Sequence, residues 1–541
     1  MKYGFVIDNR KCIGCHACTT ACKSEHNVPV GVNRTWVKQV EKGTFPDTRR
    51  LFSVMRCNHC ADAPCVDICP TEALYTRKDG IVDFDKDRCI GCKSCMQACP
   101  YDALYIDPET NTAAKCNYCA HRIDIGLEPA CVNVCPEHAI ISGDMDDPSS
   151  EIAQLLSQQA VNVRKPEKGT SPNLFYIDGD EASLNPSATE RTGAYLWSQQ
   201  TTGVGHFAKE AEKLAFSNGD VITHLLETEK QYATSGDIAK HGPQKSIELI
   251  MGKTTKRVYD TPDKGILWGW EVSGYVFTKA ISTGVFIVPF LALFFNWSSL
   301  ETSTYYWSYG LGMFFLILTG ILLIMDLDQP KRFLYVLLRP HWGSWLVKGG
   351  YAITAFGGLL SALVLTKYFE LNLMHEILFF ITMLVAAVVA IYTAFLFAQA
   401  KGRDFWQSPS LAIHMLVHSV MAGAATFGVL TLFAQSDIDW TNFLQYLLMT
   451  LIGVNVATLL FELTTTHPTV DAEQVSNMIK SGRYSRLFYF GTILIGNLIP
   501  MLLLLLGNTS LMLPISGVLV LIGIFLTEKI WVEAPQRIPL T

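Results

Sequence analysis

After residue 270 the chain settles into long apolar runs separated by short polar breaks, and before that point it does not. Eight runs, at about 275–296, 305–327, 345–366, 375–399, 410–434, 441–463, 486–507 and 511–531, each approach or exceed the roughly 20 residues a helix needs to cross a bilayer core. Buried soluble helices are the competing explanation, and eight in succession leave it little room. The pattern predicts an all-α membrane domain of eight spans over 271–541.

The first 270 residues have a different texture. Gly80-Ile81-Val82-Asp83-Phe84 and Ala103-Leu104-Tyr105-Ile106-Asp107 read as short strands. Apolar positions from Phe207 to Tyr232 recur near helical spacing, interrupted by Gly219, and stretches around Pro148 and Pro186 predict loops. We therefore expect an α+β domain over 1–142, an extension at the membrane surface over 143–270, and the polytopic domain beyond.

Composition sharpens that division. All sixteen cysteines lie between Cys12 and Cys135, leaving none in the 406 residues that follow. The net charge of −6 and the lack of a basic cluster argue against a nucleic-acid partner. The segment Met1–Asp8 has neither an apolar signal core nor a twin-arginine pair, so an exported disulfide scaffold is not expected.

The cysteines form four groups of four: Cys12, Cys15, Cys18 and Cys22; Cys57, Cys60, Cys65 and Cys69; Cys89, Cys92, Cys95 and Cys99; Cys116, Cys119, Cys131 and Cys135. Proline follows the last cysteine of three groups, at Pro70, Pro100 and Pro136. The C-x2-C-x2-C-x3-C-P run is the bacterial ferredoxin pattern, in which three close thiolates wrap one cubane and the fourth reaches another. Zinc also takes paired cysteines, but it does not call for the third cysteine and the trailing Cys-Pro repeated this often. A doubled ferredoxin-like fold with four [4Fe–4S] clusters follows.

Group order and the eleven-residue gap inside the fourth group resemble the electron-transfer subunits of molybdopterin oxidoreductases of the dimethyl sulfoxide and polysulfide reductase kind. That resemblance implies crossed ligation: Cys12/Cys15/Cys18/Cys135, Cys116/Cys119/Cys131/Cys22, Cys57/Cys60/Cys65/Cys99 and Cys89/Cys92/Cys95/Cys69. In the membrane half, Asp326-Leu327-Asp328-Gln329-Pro330-Lys331-Arg332-Phe333, then Leu338-Arg339-Pro340, Ser344-Trp345, Ile391-Tyr392-Thr393-Ala394 and Phe405-Trp406 resemble the NrfD/PsrC membrane anchors. The sequence thus reads as a fusion of two subunits that are separate elsewhere.

Ionisable residues inside lipid are costly and mark functional candidates. Glu271, Tyr275 and Lys279 lie along the first span, Asp326 closes the second, Tyr392 lies inside the fourth, His414 and His418 share one face of the fifth, and Glu462 ends the sixth. Together they suit a quinone or quinol head group, which needs donors to two carbonyl oxygens and a route for two protons. Haem is disfavoured, because two histidines on one helical face cannot approach a ring from both sides.

Loops on one side of the bilayer carry Lys331, Arg332, Arg339, Lys401, Arg403, Lys480, Arg483, Arg486, Lys529 and Arg537, whereas the other side carries only Lys367. This asymmetry predicts a multi-pass protein of the cell's inner (plasma) membrane with its iron–sulfur domain in the cytoplasm. No dinucleotide fingerprint or nucleotide loop is present. We expect an electron-transfer and anchor subunit that serves a molybdopterin-containing catalytic subunit and the membrane quinone pool. A redox-driven proton-translocating module and a purely structural anchor are the rivals.

Overall fold

The computed structural model describes residues 1–44, 47–189, 255–297, 300–433, 437–506 and 511–541. The helix expected within Phe207–Tyr232 lies outside them.

Among the described residues the soluble half is built on four small sheets. Strand β1 (Tyr3–Asp8) pairs antiparallel with β8 (Ile140–Asp144) and parallel with β10 (Leu174–Ile177), which in turn pairs with β9 (Val161–Asn162). Strands β2 (Thr35–Thr44) and β3 (Asp47–Arg56) form a long hairpin, and β11 (Thr255–Tyr259) adds to its β2 edge. Two shorter hairpins, β4 (Leu74–Thr76) with β5 (Val82–Phe84) and β6 (Leu104–Asp107) with β7 (Thr112–Lys115), stand between the cysteine groups, where short strands were expected. Phe5, Ile7, Trp36, Val54, Met55 and Tyr176 fill the space between sheets.

Residues beyond 142 are integral to this layer. The anticipated boundary cuts β8, and β10 continues the same sheet, because β1 is buried almost throughout and its backbone N–H and C=O groups need partners on both edges. Trp36 donates to Asp260 at 2.8 Å, so the segment entering the membrane is also stitched to the ferredoxin core.

Eight long apolar helices follow and make this a multi-pass membrane protein: α1 (Trp270–Phe294), α2 (Thr302–Met325), α3 (Trp345–Tyr368), α4 (Asn372–Gln399), α5 (Ser410–Leu430), α6 (Ile438–Thr464), α7 (Leu487–Leu506) and α8 (Met512–Glu533). Helices α1–α4 and α5–α8 pack as two groups, joined where α1 crosses α5. Those two are the most enclosed, with 78% and 72% of their apolar windows buried, and therefore carry the polar residues that lipid would not tolerate.

The crossing depends on Gly284 and Gly423, whose backbones touch: a Cβ on Gly284 would lie 1.8 Å from the Ser419 carbonyl oxygen. Gly349 serves similarly, cradling the Tyr392 ring. At Gly310 and Gly320, by contrast, such an added atom would have nothing within 4 Å among the described residues.

Candidate functional site

The first Cys-x-x-Cys turn of each group places the residue before its second cysteine at positive φ: Gly14, His59, Gly91 and Tyr118. That left-handed step turns backbone amides toward sulfur. His59 N–H approaches Cys57 Sγ at 3.5 Å, Gly91 and Ala113 N–H approach Cys89 Sγ at 3.4 Å, and Ala139 N–H approaches Cys135 Sγ at 3.2 Å. A Cβ at Gly14 would meet the Phe52 ring at 2.4 Å, so both its φ and its neighbour require glycine there.

The thiols gather in crossed sets. Cys135 lies by Cys12; Cys22 by Cys116, Cys119 and Cys131; Cys99 by Cys60 and Cys65; Cys69 by Cys89, Cys92 and Cys95. One pocket is lined by Cys12, Cys15, Cys18 and Cys135, and another by Cys69, Cys89, Cys92 and Cys95. Burial pushes the Cys18, Cys92 and Cys119 thiols up to about 12, with neighbouring sulfurs adding to the rise. Four thiols per set with amide donors at the sulfurs fit an iron–sulfur cubane, whose assembly expels those protons. Arg56 is wholly buried between two sets and donates to Cys131 Sγ at 3.1 Å.

The set formed by Cys69, Cys89, Cys92 and Cys95 abuts the membrane helices. Lys93 donates to the Asp326 carbonyl at 2.8 Å and pairs with Asp328 at 3.2 Å. Arg332 donates to the Cys89 carbonyl at 3.0 Å, Ser344 to the Ile68 carbonyl at 2.8 Å, and Trp268 to the Cys92 carbonyl at 3.1 Å. Gly91 packs against Asp328, and Gly402 against the Cys99 carbonyl, each closer than a side chain would permit. Gln97 and Arg403 complete the join, with Arg403 donating to Gln97 at 2.9 Å and Gln97 to Gln536 at 2.6 Å. Trp268, Phe397 and Trp406 stack at 4.6–5.6 Å, and Trp406 donates to the Trp531 carbonyl at 2.8 Å.

Behind this join the eight membrane candidates divide into two groups. Lys279, about 13 Å along α1 from its start, donates to Thr393 Oγ1 at 2.7 Å and the Ala390 carbonyl at 2.9 Å, over the Tyr392 ring. Tyr275 and Tyr392 also engage Thr393. Asp326 lies near Tyr275 and the half-buried Glu271, at the end of α2. Burial pushes its carboxyl up to about 7, against the pull of Lys93.

His414 and His418 form the second group. His414 Nδ1 is 3.1 Å from Glu462, which also accepts from Ser410 at 2.8 Å and Trp531 at 3.0 Å. His418 lies 2.6 Å from Glu528 through Nδ1 and 3.0 Å from Asn455 through Nε2, and Asn455 donates to Asn497 at 2.9 Å. Lys279 and His418 each stand five residues before their crossing glycine, so the α1–α5 contact sets them at like depth, with Glu528 electrostatically coupled to both.

Sequence reasoning missed Glu528. It lies inside the last apolar run, and the rule that picked out Lys279 applied to it equally. Lys93 and Trp268 had no such signal, since their roles arise only from docking.

Models of the 4Fe-4S dicluster domain match residues 11–74 and 48–145, and the model described as polysulphide reductase, NrfD matches residues 261–536. A tetrathionate reductase subunit of Salmonella typhimurium is 46% identical over 202 residues, covering 37% of this chain and 80% of its own length. A polysulfide reductase chain of Wolinella succinogenes is 45% identical over 188 residues, covering 34% of this chain and 97% of its own. The arsenate respiratory reductase iron–sulfur subunit of a Shewanella species is 36% identical over 225 residues, covering 33% of this chain and 96% of its own.

Proposed function

Because this protein belongs to the polysulphide reductase NrfD family and carries iron–sulfur dicluster domains ahead of that anchor, we propose that it links a molybdopterin-containing catalytic subunit to the membrane quinone pool. The relatives, named as components of tetrathionate, polysulfide and arsenate reductases, support a separate catalytic polypeptide. On this reading residues 1–142 hold four [4Fe–4S] clusters on the sixteen cysteines in the crossed sets. The described parts of 143–270 bind the halves together, and residues 271–541 meet the quinone. When bound, the clusters supply one-electron transfer.

One observation carries the quinone reading: the loop holding Cys92 is hydrogen-bonded at Asp326, where α2 ends, and at Trp268, just ahead of α1, the helix that carries Tyr275 and Lys279 toward Thr393 and Tyr392 on α4. In the mechanism we propose, the Lys279 ammonium and the two tyrosine hydroxyls hold the quinone oxygens. Asp326, at the aqueous border, exchanges protons, and His414 with Glu462 offers a second route. The arginine-bearing loops meet the iron–sulfur domain at Arg332 and Arg403, and with the charge asymmetry this supports a cytoplasmic position for that domain.

The hydrogen-bonded run Glu528–His418–Asn455–Asn497 crosses four helices and favours a second reading, a proton path driven by the redox step. Counting protons per electron in proteoliposomes separates the two. The primary test is quinol-driven cluster reduction, followed by absorbance and EPR, in Lys279→Met. Reduction slowed at least tenfold with unchanged cluster signals is expected, and a parental rate places the quinone elsewhere.

A further inference from the structure

Two histidines on one helical face cannot sandwich a haem, but that arrangement is what a small tetrahedral ion needs. His414 and His418, at i and i+4 on α5, bring their rings to 4.2 Å, and Glu528 enters between them from α8. One nitrogen from each ring and one Glu528 oxygen lie within 4.8 Å of one another, all buried.

The outer nitrogens are already engaged. His414 Nδ1 faces the Glu462 carboxylate and His418 Nε2 faces the Asn455 carbonyl oxygen; Asn455 turns its amide nitrogen to Asn497. Both acceptors require N–H on those ring atoms, which leaves the lone pairs of His414 Nε2 and His418 Nδ1 facing the interior. His414 Nε2 is completely buried and has no hydrogen-bond partner. His418 Nδ1 stands 2.6 Å from Glu528, a separation that requires a proton between them.

We propose that His414, His418 and Glu528 form a binding site for one divalent transition-metal ion of the zinc class. Ligand atoms around tetrahedral zinc stand about 3.4 Å apart, given Zn–N and Zn–O distances near 2.0–2.2 Å. The separations here, 2.6 Å and 3.9 Å from Glu528 to the two nitrogens, bracket that value, and all three ligand atoms lie within 4.8 Å of one another. Imidazole nitrogen with a single carboxylate selects zinc-type ions over magnesium or calcium, which take oxygen shells. Glu462 and Asn455 act as the outer partners that fix each imidazole's tautomer, and the two carboxylates balance the double positive charge. The fourth position is left to water. Binding displaces the shared proton and freezes this branch of the polar network. The proposal is independent of where quinone sits.

The test uses the full-length protein with its clusters loaded, purified in detergent, washed with chelator, exposed to Zn²⁺ and freed of excess by gel filtration. Elemental analysis should find one retained zinc per polypeptide, with a zinc-edge X-ray absorption shell of nitrogen and oxygen only. His418→Gln and Glu528→Gln should each lower retention at least tenfold at parental iron content, which certifies the fold; if either loses iron, His414→Gln carries the same test. No retained zinc, a sulfur shell marking zinc in the cysteine sets, or retention unchanged in folded variants overturns the assignment.

Discussion

Replacing Lys93 by Met keeps the side-chain length and removes the charge that ties the Cys89–Cys95 loop to the end of α2. Its ammonium lies 3.7 Å from the Asp326 carboxylate and 3.2 Å from Asp328, with side chains 16%, 12% and 27% exposed respectively. At 3.7 Å the attraction to Asp326 is about 1 kcal/mol if fully water-screened and about 4.5 kcal/mol at an effective dielectric of 20. One pH unit corresponds to about 1.4 kcal/mol, so even the lower bound is most of a unit. Burial already holds the Asp326 carboxyl near 7, with Lys93 pulling it down. Removing a neighbouring cation favours the protonated acid, so the value must rise. The pH profile of quinol-driven cluster reduction, measured by stopped-flow absorbance, should therefore show a transition near 7 in the parent. In Lys93→Met it should move alkaline by about one unit or more, with unchanged EPR signals. Asp326→Asn should abolish that transition. A profile that stays put in Lys93→Met, or moves to acid, would refute Asp326 as the proton-exchanging group.

Parental protein should contain about sixteen irons, four for each of four cubanes, and Cys69→Ser should perturb the EPR signal of the cluster held by Cys89, Cys92 and Cys95, leaving that of Cys57, Cys60 and Cys65 unchanged; the reverse pattern would undo the crossed assignment. Gly284→Ala forces a methyl against the Ser419 carbonyl and should destabilise the membrane domain by about 1–3 kcal/mol or more, read as a lower temperature for loss of monodispersity in detergent. Gly310→Ala, where nothing lies within 4 Å, is the control and should leave that temperature unchanged. Alkaline phosphatase fused after Thr541 should be inactive and a fluorescent protein there should glow, and the opposite pair of results would put the iron–sulfur domain outside the cytoplasm.

Much of the cluster region was legible because a cysteine's neighbours in sequence are its neighbours on the cluster. Gly14 and Gly91 announce the left-handed step that lets one loop present three thiols. The crossing of the fourth cysteine was less accessible, since nothing local tells Cys69 that it will lie beside Cys92 rather than Cys60; resemblance supplied that expectation. Helix limits were readable to a few residues from apolar length. Which faces turned inward was not: Gly310 and Gly349 both lie inside apolar runs, yet only Gly349 packs against a ring.

The class of the molecule can be read from the residues alone: sixteen cysteines at ferredoxin spacing, eight spans, and a one-sided distribution of positive charge. Each of these is a local property, set by residue type and separation along the chain. Which polar residues meet depends on how the chain folds. Lys279 joins Thr393 from 114 positions away, His418 joins Glu528 from 110, and Lys93 reaches Asp326 across 233. In lipid a polar group has no water to turn to, so it must find a partner on another helix. Which partner it finds is fixed by where α1 and α5 touch, at two glycines that have no side chains to hold them apart.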